Sequence, residues 1–123
     1  MVVAQVNPPR GMRDFLPSEK AKREHLLAVA KNAYLNRGFQ EIETPVLEEL
    51  SRLQSGQGGD NEKLVFKVQK RGEEFASALE AGSELADLGL RFDLTVPLTR
   101  YYATNQAKLP RVFKAIQTGP VFR

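Results

Sequence analysis

The sequence predicts an α+β fold in which flanking helices pack on a largely antiparallel sheet. Two observations carry this. Apolar residues recur with a helical period in some stretches and alternate as in strands in others, and the two kinds of stretch are not interleaved in the regular βαβ order of a parallel sheet. The chain is also the size of one ordinary domain: 123 residues, 41% of them apolar, suffice for one modest core or for one piece of a larger unit.

Consecutive prolines at Pro8 and Pro9 lack donors and restrict their neighbours, so the first ten residues form an extended lead-in. From Pro17 and Ser18 a helix begins, with Glu19 in its first turn. Leu26, Leu27, Val29, Ala30, Ala33 and Tyr34 give its period, and Gly38 is its stop. Phe39 to Thr44 alternates as a short strand. Thr44 as N-cap and Pro45 at the first helical position then open a helix through about Leu53.

Ser55-Gly56-Gln57-Gly58-Gly59-Asp60-Asn61 is glycine-rich but lacks the Lys-Ser/Thr of a phosphate-cradling loop, and it reads as a flexible connection. Leu64, Phe66 and Val68 alternate as a half-buried strand that ends at Lys70-Arg71-Gly72. Glu73 to Gly89 is rich in helix formers but interrupted by Gly82, which leaves a helix, a pair of turns or a surface insertion open. Leu88 to Leu94 resumes as a strand. Thr95 caps a helix with Pro97 in its first turn, running through Tyr101 and Tyr102 to about Asn105. After Pro110 a final strand pair spans Val112 to Ile116 and Gly119 to Arg123.

Composition narrows the chemistry. Without cysteine there is neither a disulfide framework nor a thiolate metal site, and the single histidine, His25, cannot form an imidazole cluster for zinc. His25 lies within the first predicted helix and receives no role. No apolar run approaches the length of a membrane span and no signal-peptide order opens the chain, so a cytoplasmic protein without membrane contact is expected. Residues 94 to 123 hold five bases, Arg100, Lys108, Arg111, Lys114 and Arg123, and no acid. Such a strip suits either a solvated basic face or phosphate-bearing ligands.

Three segments carry the remaining information. Gly11-Met12-Arg13-Asp14-Phe15-Leu16-Pro17 sets a charged pair between apolar anchors. Gly38-Phe39-Gln40-Glu41-Ile42-Glu43-Thr44-Pro45-Val46-Leu47 reads as helix stop, strand and proline at fixed offsets. In Leu90-Arg91-Phe92-Asp93-Leu94-Thr95-Val96-Pro97-Leu98-Thr99-Arg100-Tyr101, Asp93 and Thr95 stand two apart at a predicted strand end. Strand alternation points both to one side, where a carboxylate and a hydroxyl can hold an ammonium group. The same pair also suits a helix cap, and spacing alone favours the cap.

Taken in order, these segments resemble the histidyl-tRNA synthetase family of class II aminoacyl-tRNA synthetases, from Gly11 to Arg123. Gly11 to Pro17 is similar to the family's N-terminal signature, and the stretch around Pro45 to class II motif 1. Arg91-Phe92-Asp93-Leu94-Thr95 resembles the histidine-binding element, and Thr118-Gly119-Pro120-Val121-Phe122-Arg123 the start of motif 2. The resemblance implies a class II synthetase-like fold and an ATP-dependent ligation of L-histidine to tRNA(His) through histidyl-adenylate. It further implies that Asp93 and Thr95 hold the α-amino group of histidine, with Leu94 contributing through its backbone. Arg123 is implied to contact the α-phosphate and the substrate carboxylate as the catalytic arginine, Pro45 to lie in a homodimer interface, and Mg²⁺ to enter with ATP, with no metal held by the protein itself.

The resemblance stops at Arg123, so the rest of motif 2, motif 3 and the anticodon-binding domain are not among these residues. The chain is therefore expected to be a truncated catalytic domain, inactive in adenylate formation by itself, whose last strand exposes an open edge. Two other readings stand beside this one: the synthetase-like regulatory subunit of ATP phosphoribosyltransferase, and a non-catalytic dimerisation fragment.

Overall fold

A computed structural model describes residues 6–55 and 63–123, which divide into two compact units, Met1–Phe39 and Gln40–Arg123. The first unit is dominated by one helix, α1, Pro17–Leu35. Pro17 takes the first helical position, where its missing N–H costs nothing. Glu19 reaches back to accept a bond from the Leu16 N–H at 3.2 Å, and Arg13 pairs with the same carboxylate at 2.6 Å. Gly38 ends the turn with φ 83°, a left-handed conformation that glycine adopts without strain, as expected of the stop residue. No residue of α1 is buried, and His25 lies exposed on it.

Among the described residues the second unit contains two small sheets. Strand β1, Gln40–Glu41, pairs in parallel with β5, Ala115–Ile116, and the Ile42 N–H donates to the Ile116 carbonyl at 2.9 Å. Strands β2 (Leu47–Glu49), β3 (Lys67–Gln69) and β4 (Ala86–Leu90) form an antiparallel sheet in the order β2-β4-β3. Helix α2, Leu50–Gln54, follows β2. Helix α3, Gly72–Ala81, precedes β4, and α4, Thr95–Asn105, follows it. The α+β class holds, with the larger sheet antiparallel and the smaller one parallel.

The core gathers Leu50, Leu53, Val65 and Phe92, with Ala86 and Val96 packed against them. Leu53 is 1% exposed, and burying such a side chain contributes about 2 to 3 kcal/mol. Gly89 lets α2 close onto β4: a Cβ there would stand 2.8 Å from Val65 Cγ1 and 2.9 Å from Leu53 Cδ1. Tyr101 and Tyr102 both stack on Phe113, with centroids 6.3 and 6.4 Å away, and so tie α4 to the approach of β5.

Several expectations are corrected. Thr44 and Pro45 do not open a helix. They lie in no helix or strand, and Leu47–Glu49 pairs with β4 (Leu47 opposite Leu90, Glu48 opposite Gly89), so strand pairing overrides the local capping signal. In the stretch expected as a strand from Leu64, the buried residue is Val65, while Leu64 and Phe66 are exposed. Lys63 and Leu64 are helical, the strand starts at Lys67, and an irregularity between Val68 and Gln69 shifts its register.

The uncertain stretch from Glu73 is a helix that ends at Gly82, φ 61°. Strand β4 closes at Leu90, four residues before the predicted end. The cap of α4 is Leu94, with Thr95 already inside the helix. Gly119 to Arg123 is not a strand, so the edge expected there is not formed. It is tied to the unit through Arg91, whose carbonyl accepts from the Phe122 N–H and whose Nε donates to the Pro120 carbonyl, each at 2.9 Å. The glycine-rich connection predicted at 55–61 lies, apart from Ser55, outside the described residues.

Candidate active site

Beyond the end of β4 the chain carries Arg91, Phe92, Asp93 and Leu94 into α4. Asp93 and Thr95 meet here in a turn and not across a pleat, because the strand has already ended. Asp93 Oδ1 accepts a bond from the Thr95 N–H at 3.0 Å, which satisfies one of the unpaired donors at the helix start. Asp93 thus supports the helix start from the residue before the cap, while the cap position itself is Leu94 and carries no side-chain bond, so neither member of the pair is the cap residue expected. Asp93 is half-buried and Thr95 exposed.

What holds this turn in place is a polar network around Arg91. The Arg91 side chain is buried, at 4% exposure, and Nε donates to the Pro120 carbonyl at 2.9 Å. Nη1 donates to the Thr44 carbonyl at 3.0 Å and to Thr44 Oγ1 at 3.1 Å, with the Pro45 carbonyl at 3.4 Å. Thr44, itself buried, donates its hydroxyl to Gln117 Oε1 at 3.0 Å, and Gln117 Nε2 donates to the Leu94 carbonyl at 2.8 Å. The main chain of Arg91 adds two further ties. Its N–H donates to the Val46 carbonyl, and its carbonyl accepts from the Phe122 N–H, each at 2.9 Å.

A guanidinium removed from water is costly unless its donors find partners, and here carbonyl and hydroxyl dipoles receive Nε and Nη1. Among the described residues no buried side-chain nitrogen or oxygen lacks a partner. The plane of donors also shapes the neighbouring chain. A Cβ on Gly119 would stand 2.3 Å from Arg91 Nη2, so glycine is the residue this approach admits.

The network joins the segments carrying the predicted residues. Leu94 contributes a carbonyl that Gln117 already occupies. Pro45 is exposed, with its carbonyl at the edge of the Arg91 fork. Arg123 is exposed and directly follows Phe122, so it stands one residue beyond the bond to Arg91, while Asp93 stands two residues beyond Arg91. A cavity of about 280 Å³ opens beside Thr95, bounded by Arg52, Val96, Thr99 and Arg100. A wider groove of about 720 Å³, bounded by Glu49, Lys67, Glu84 and Asp87, contains none of the predicted site residues.

The basic strip is not uniformly available to ligands. Arg100 Nε bonds both oxygens of Glu48, at 2.8 and 2.9 Å, and Glu48 is buried on β2. This cation is committed to a structural pair, whereas Lys108, Arg111 and Arg123 are exposed. Among the described residues no three His, Cys, Asp or Glu side chains cluster as metal ligands, and no helix is long and apolar enough to cross a membrane.

The sequence reading places Thr44 at a helix cap, Arg91 within the histidine-binding element and Gly119 at the start of motif 2, but gives none of these, nor Gln117, a part in a buried joint. Arg91 carried one legible signal, a charged residue between Leu90 and Phe92 at a predicted buried strand. The others carried none, because their partners are distant along the chain.

The sequence matches the family described as Histidyl-tRNA synthetase over residues 11–123. It is 54% identical to the histidine–tRNA ligase of Leifsonia xyli and 49% identical to the probable histidine–tRNA ligase of Tropheryma whipplei, covering 99% and 97% of this chain. The chain spans only 30% and 28% of those two relatives. Among solved structures, histidyl-tRNA synthetase from Nostoc sp. PCC 7120 superposes with a TM-score of 0.73 at 32% identity, over 97% of this chain and 25% of that one. A Bacillus halodurans structure described as an ATP phosphoribosyltransferase regulatory subunit/histidyl-tRNA synthetase has TM-score 0.74 at 23% identity, over 95% and 27%, and shares the fold. The motif order from Gly11 to Arg123 and the match across residues 11–123 agree: the chain belongs to the histidyl-tRNA synthetase family.

Proposed function

We propose that this chain serves the ATP-dependent ligation of L-histidine to tRNA(His). A carboxylate oxygen of histidine attacks the α-phosphorus of ATP, the bond to pyrophosphate breaks, and histidyl-adenylate forms. A terminal ribose hydroxyl of the tRNA then attacks the carbonyl carbon, and AMP leaves. The observation that carries this reading is the bond from Phe122 N–H to Arg91 carbonyl, because it sets the turn holding Asp93 beside the segment that ends in Arg123.

Asp93 has two carboxylate oxygens, and one accepting the Thr95 N–H fixes the carboxylate while the other receives the histidine ammonium group together with the Thr95 hydroxyl. Leu94 acts through its backbone by shaping this turn, its carbonyl being held by Gln117. Arg123 is the catalytic residue in this reading. Its planar, permanently charged fork contacts the α-phosphate and the histidine carboxylate and stabilises charge that develops during transfer. Mg²⁺ enters with ATP as a substrate complex. Lys108 and Arg111 offer further positive charge to phosphates of ATP or of the tRNA end, Pro45 belongs to a homodimer contact, and the setting is the cytoplasm.

The activity is proposed for the full-length enzyme, since these residues span under a third of the relatives' length. The isolated 123 residues are expected to give no histidine-dependent ATP–pyrophosphate exchange. In the full-length enzyme, Asp93→Ala should raise the KM for histidine about 10- to 100-fold, the cost of one charge-assisted bond, with the KM for ATP little changed. An unchanged histidine KM would remove Asp93 from the pocket. Histidine binding without exchange or tRNA charging would assign the chain to a regulatory subunit of ATP phosphoribosyltransferase instead. Concentration-dependent dimerisation of the isolated residues would support a dimerisation module.

A further inference from the structure

Arg91 makes contacts in three directions that no single structural duty explains. Towards residues 44–46 it donates from Nη1 to the Thr44 carbonyl and hydroxyl and from its own N–H to the Val46 carbonyl. Towards residues 117–122 it donates from Nε to the Pro120 carbonyl and accepts from the Phe122 N–H. Towards its own helix turn it acts through the relay Thr44, Gln117, Leu94, whose last bond, at 2.8 Å, ends on the carbonyl between Asp93 and Thr95.

Asp93 and Arg123 therefore both hang from residue 91, one by two residues of chain and the other by one residue past a hydrogen bond. The separation between them is set where Arg91 is set. The guanidinium is buried and its donors are planar, so it fixes direction as well as distance. Gly119 is the complement of this arrangement, because any side chain there would enter the space of Nη2.

We propose that Arg91 is a positioning residue for adenylate formation, which through Thr44 and Gln117 fixes the amino-binding turn Asp93–Thr95 relative to Arg123. The inference rests on the function proposed above. Arg91 touches no substrate. It acts by holding the ammonium-binding and phosphate-binding groups in register, so that the histidine carboxylate is delivered in line to phosphorus. Displacement of reacting groups by about 1 Å can cost about 100-fold in rate, and an ammonium group in place of the fork cannot donate towards Thr44 and Pro120 with the same planar geometry.

The test uses the full-length enzyme, with histidine-dependent ATP–pyrophosphate exchange and thermal melting measured side by side. Arg91→Lys should keep a cooperative melt yet lower kcat for exchange about 100-fold, as expected for groups out of register. Gln117→Ala, which leaves Arg91 in place but frees the Leu94 carbonyl, should raise the KM for histidine about 10-fold, one hydrogen bond's worth, while leaving the KM for ATP unchanged. Should Arg91→Lys fail to fold, Gln117→Ala decides alone by this split between the two KM values. Exchange by folded Arg91→Lys at the wild-type rate, or a Gln117→Ala variant with both KM values unchanged, overturns the proposal. Wild-type enzyme without histidine-dependent exchange overturns the functional reading instead, and this inference with it.

Discussion

The two units of the chain are held by opposite means. In Met1–Phe39 the bonds are local. Arg13 with Glu19 and Lys20 with Glu24 are exposed pairs, the guanidinium groups of Arg13 and Arg23 each lie over the Phe15 ring at 4.5 and 4.2 Å, and no residue of α1 is buried. In Gln40–Arg123 the deciding bonds span 23 to 73 residues of sequence, from Gln117 to Leu94 and from Thr44 to Gln117, and their atoms are wholly or partly buried. The difference teaches where change is tolerated. Surface pairs are weakened by water and salt, so α1 is insensitive to loss of any one of them. The buried joint leaves an uncompensated polar group whenever one member is removed.

The two units differ most at the buried pair of Glu48 and Arg100. Arg100→Ala removes the partner of a buried carboxylate and should destabilise the Gln40–Arg123 unit by about 3 kcal/mol, read as a lower urea midpoint. A midpoint shift no larger than that of an exposed α1 pair would show that burial does not separate the two regions. Gly89→Ala should follow with a loss of about 2 kcal/mol from overpacking, because the added methyl meets Val65 and Leu53 below 3 Å. Relief by the companion change Val65→Ala would identify the clash as the cause.

The smallest effect is expected from acid on α1. The Leu16 N–H, and then Arg13, hold the Glu19 carboxyl below the ordinary glutamate value of 4.5, and Lys20 does the same for Glu24. A depressed folded value means stability that is fully present above pH 4.5 and is lost as pH falls through the lower folded values. Helical signal from α1 should therefore decline slightly below that pH, and less so in Glu19→Gln. Because both ion pairs are open to solvent, a large cooperative loss would contradict the local character of this unit.

Legibility along the chain followed the range of the interactions. The start of α1 at Pro17, its stop at Gly38 and the start of α4 near Thr95 are matters of a few adjacent residues, and each was readable, whereas Gly82 was visible only as an interruption and the helix before it stayed open. Thr44-Pro45 misled for the same reason in reverse. It has the local chemistry of a helix start, but the Arg91 fork and the pairing of Leu47–Glu49 with β4 hold it outside any helix. The candidate residues Asp93, Leu94, Thr95 and Arg123 were named from motif resemblance, whereas the reason that they share one region lies in residues 44, 91 and 117, which no short window connects.

Composition and adjacent residues were enough for the α+β class, for the start of α1 at Pro17 and its stop near Gly38, for the lack of cysteine and for the motif order that marks the family. Tertiary structure alone decided that Leu47–Glu49 is a strand and that Val65 and not Leu64 or Phe66 faces the core. It also decided that Arg100 is spent on Glu48 and that Arg91 joins the motif segments. The division has one physical reason. Backbone preferences are fixed by adjacent residues and are written in the sequence, but a buried polar group takes its place only where distant acceptors converge to replace the water it has lost.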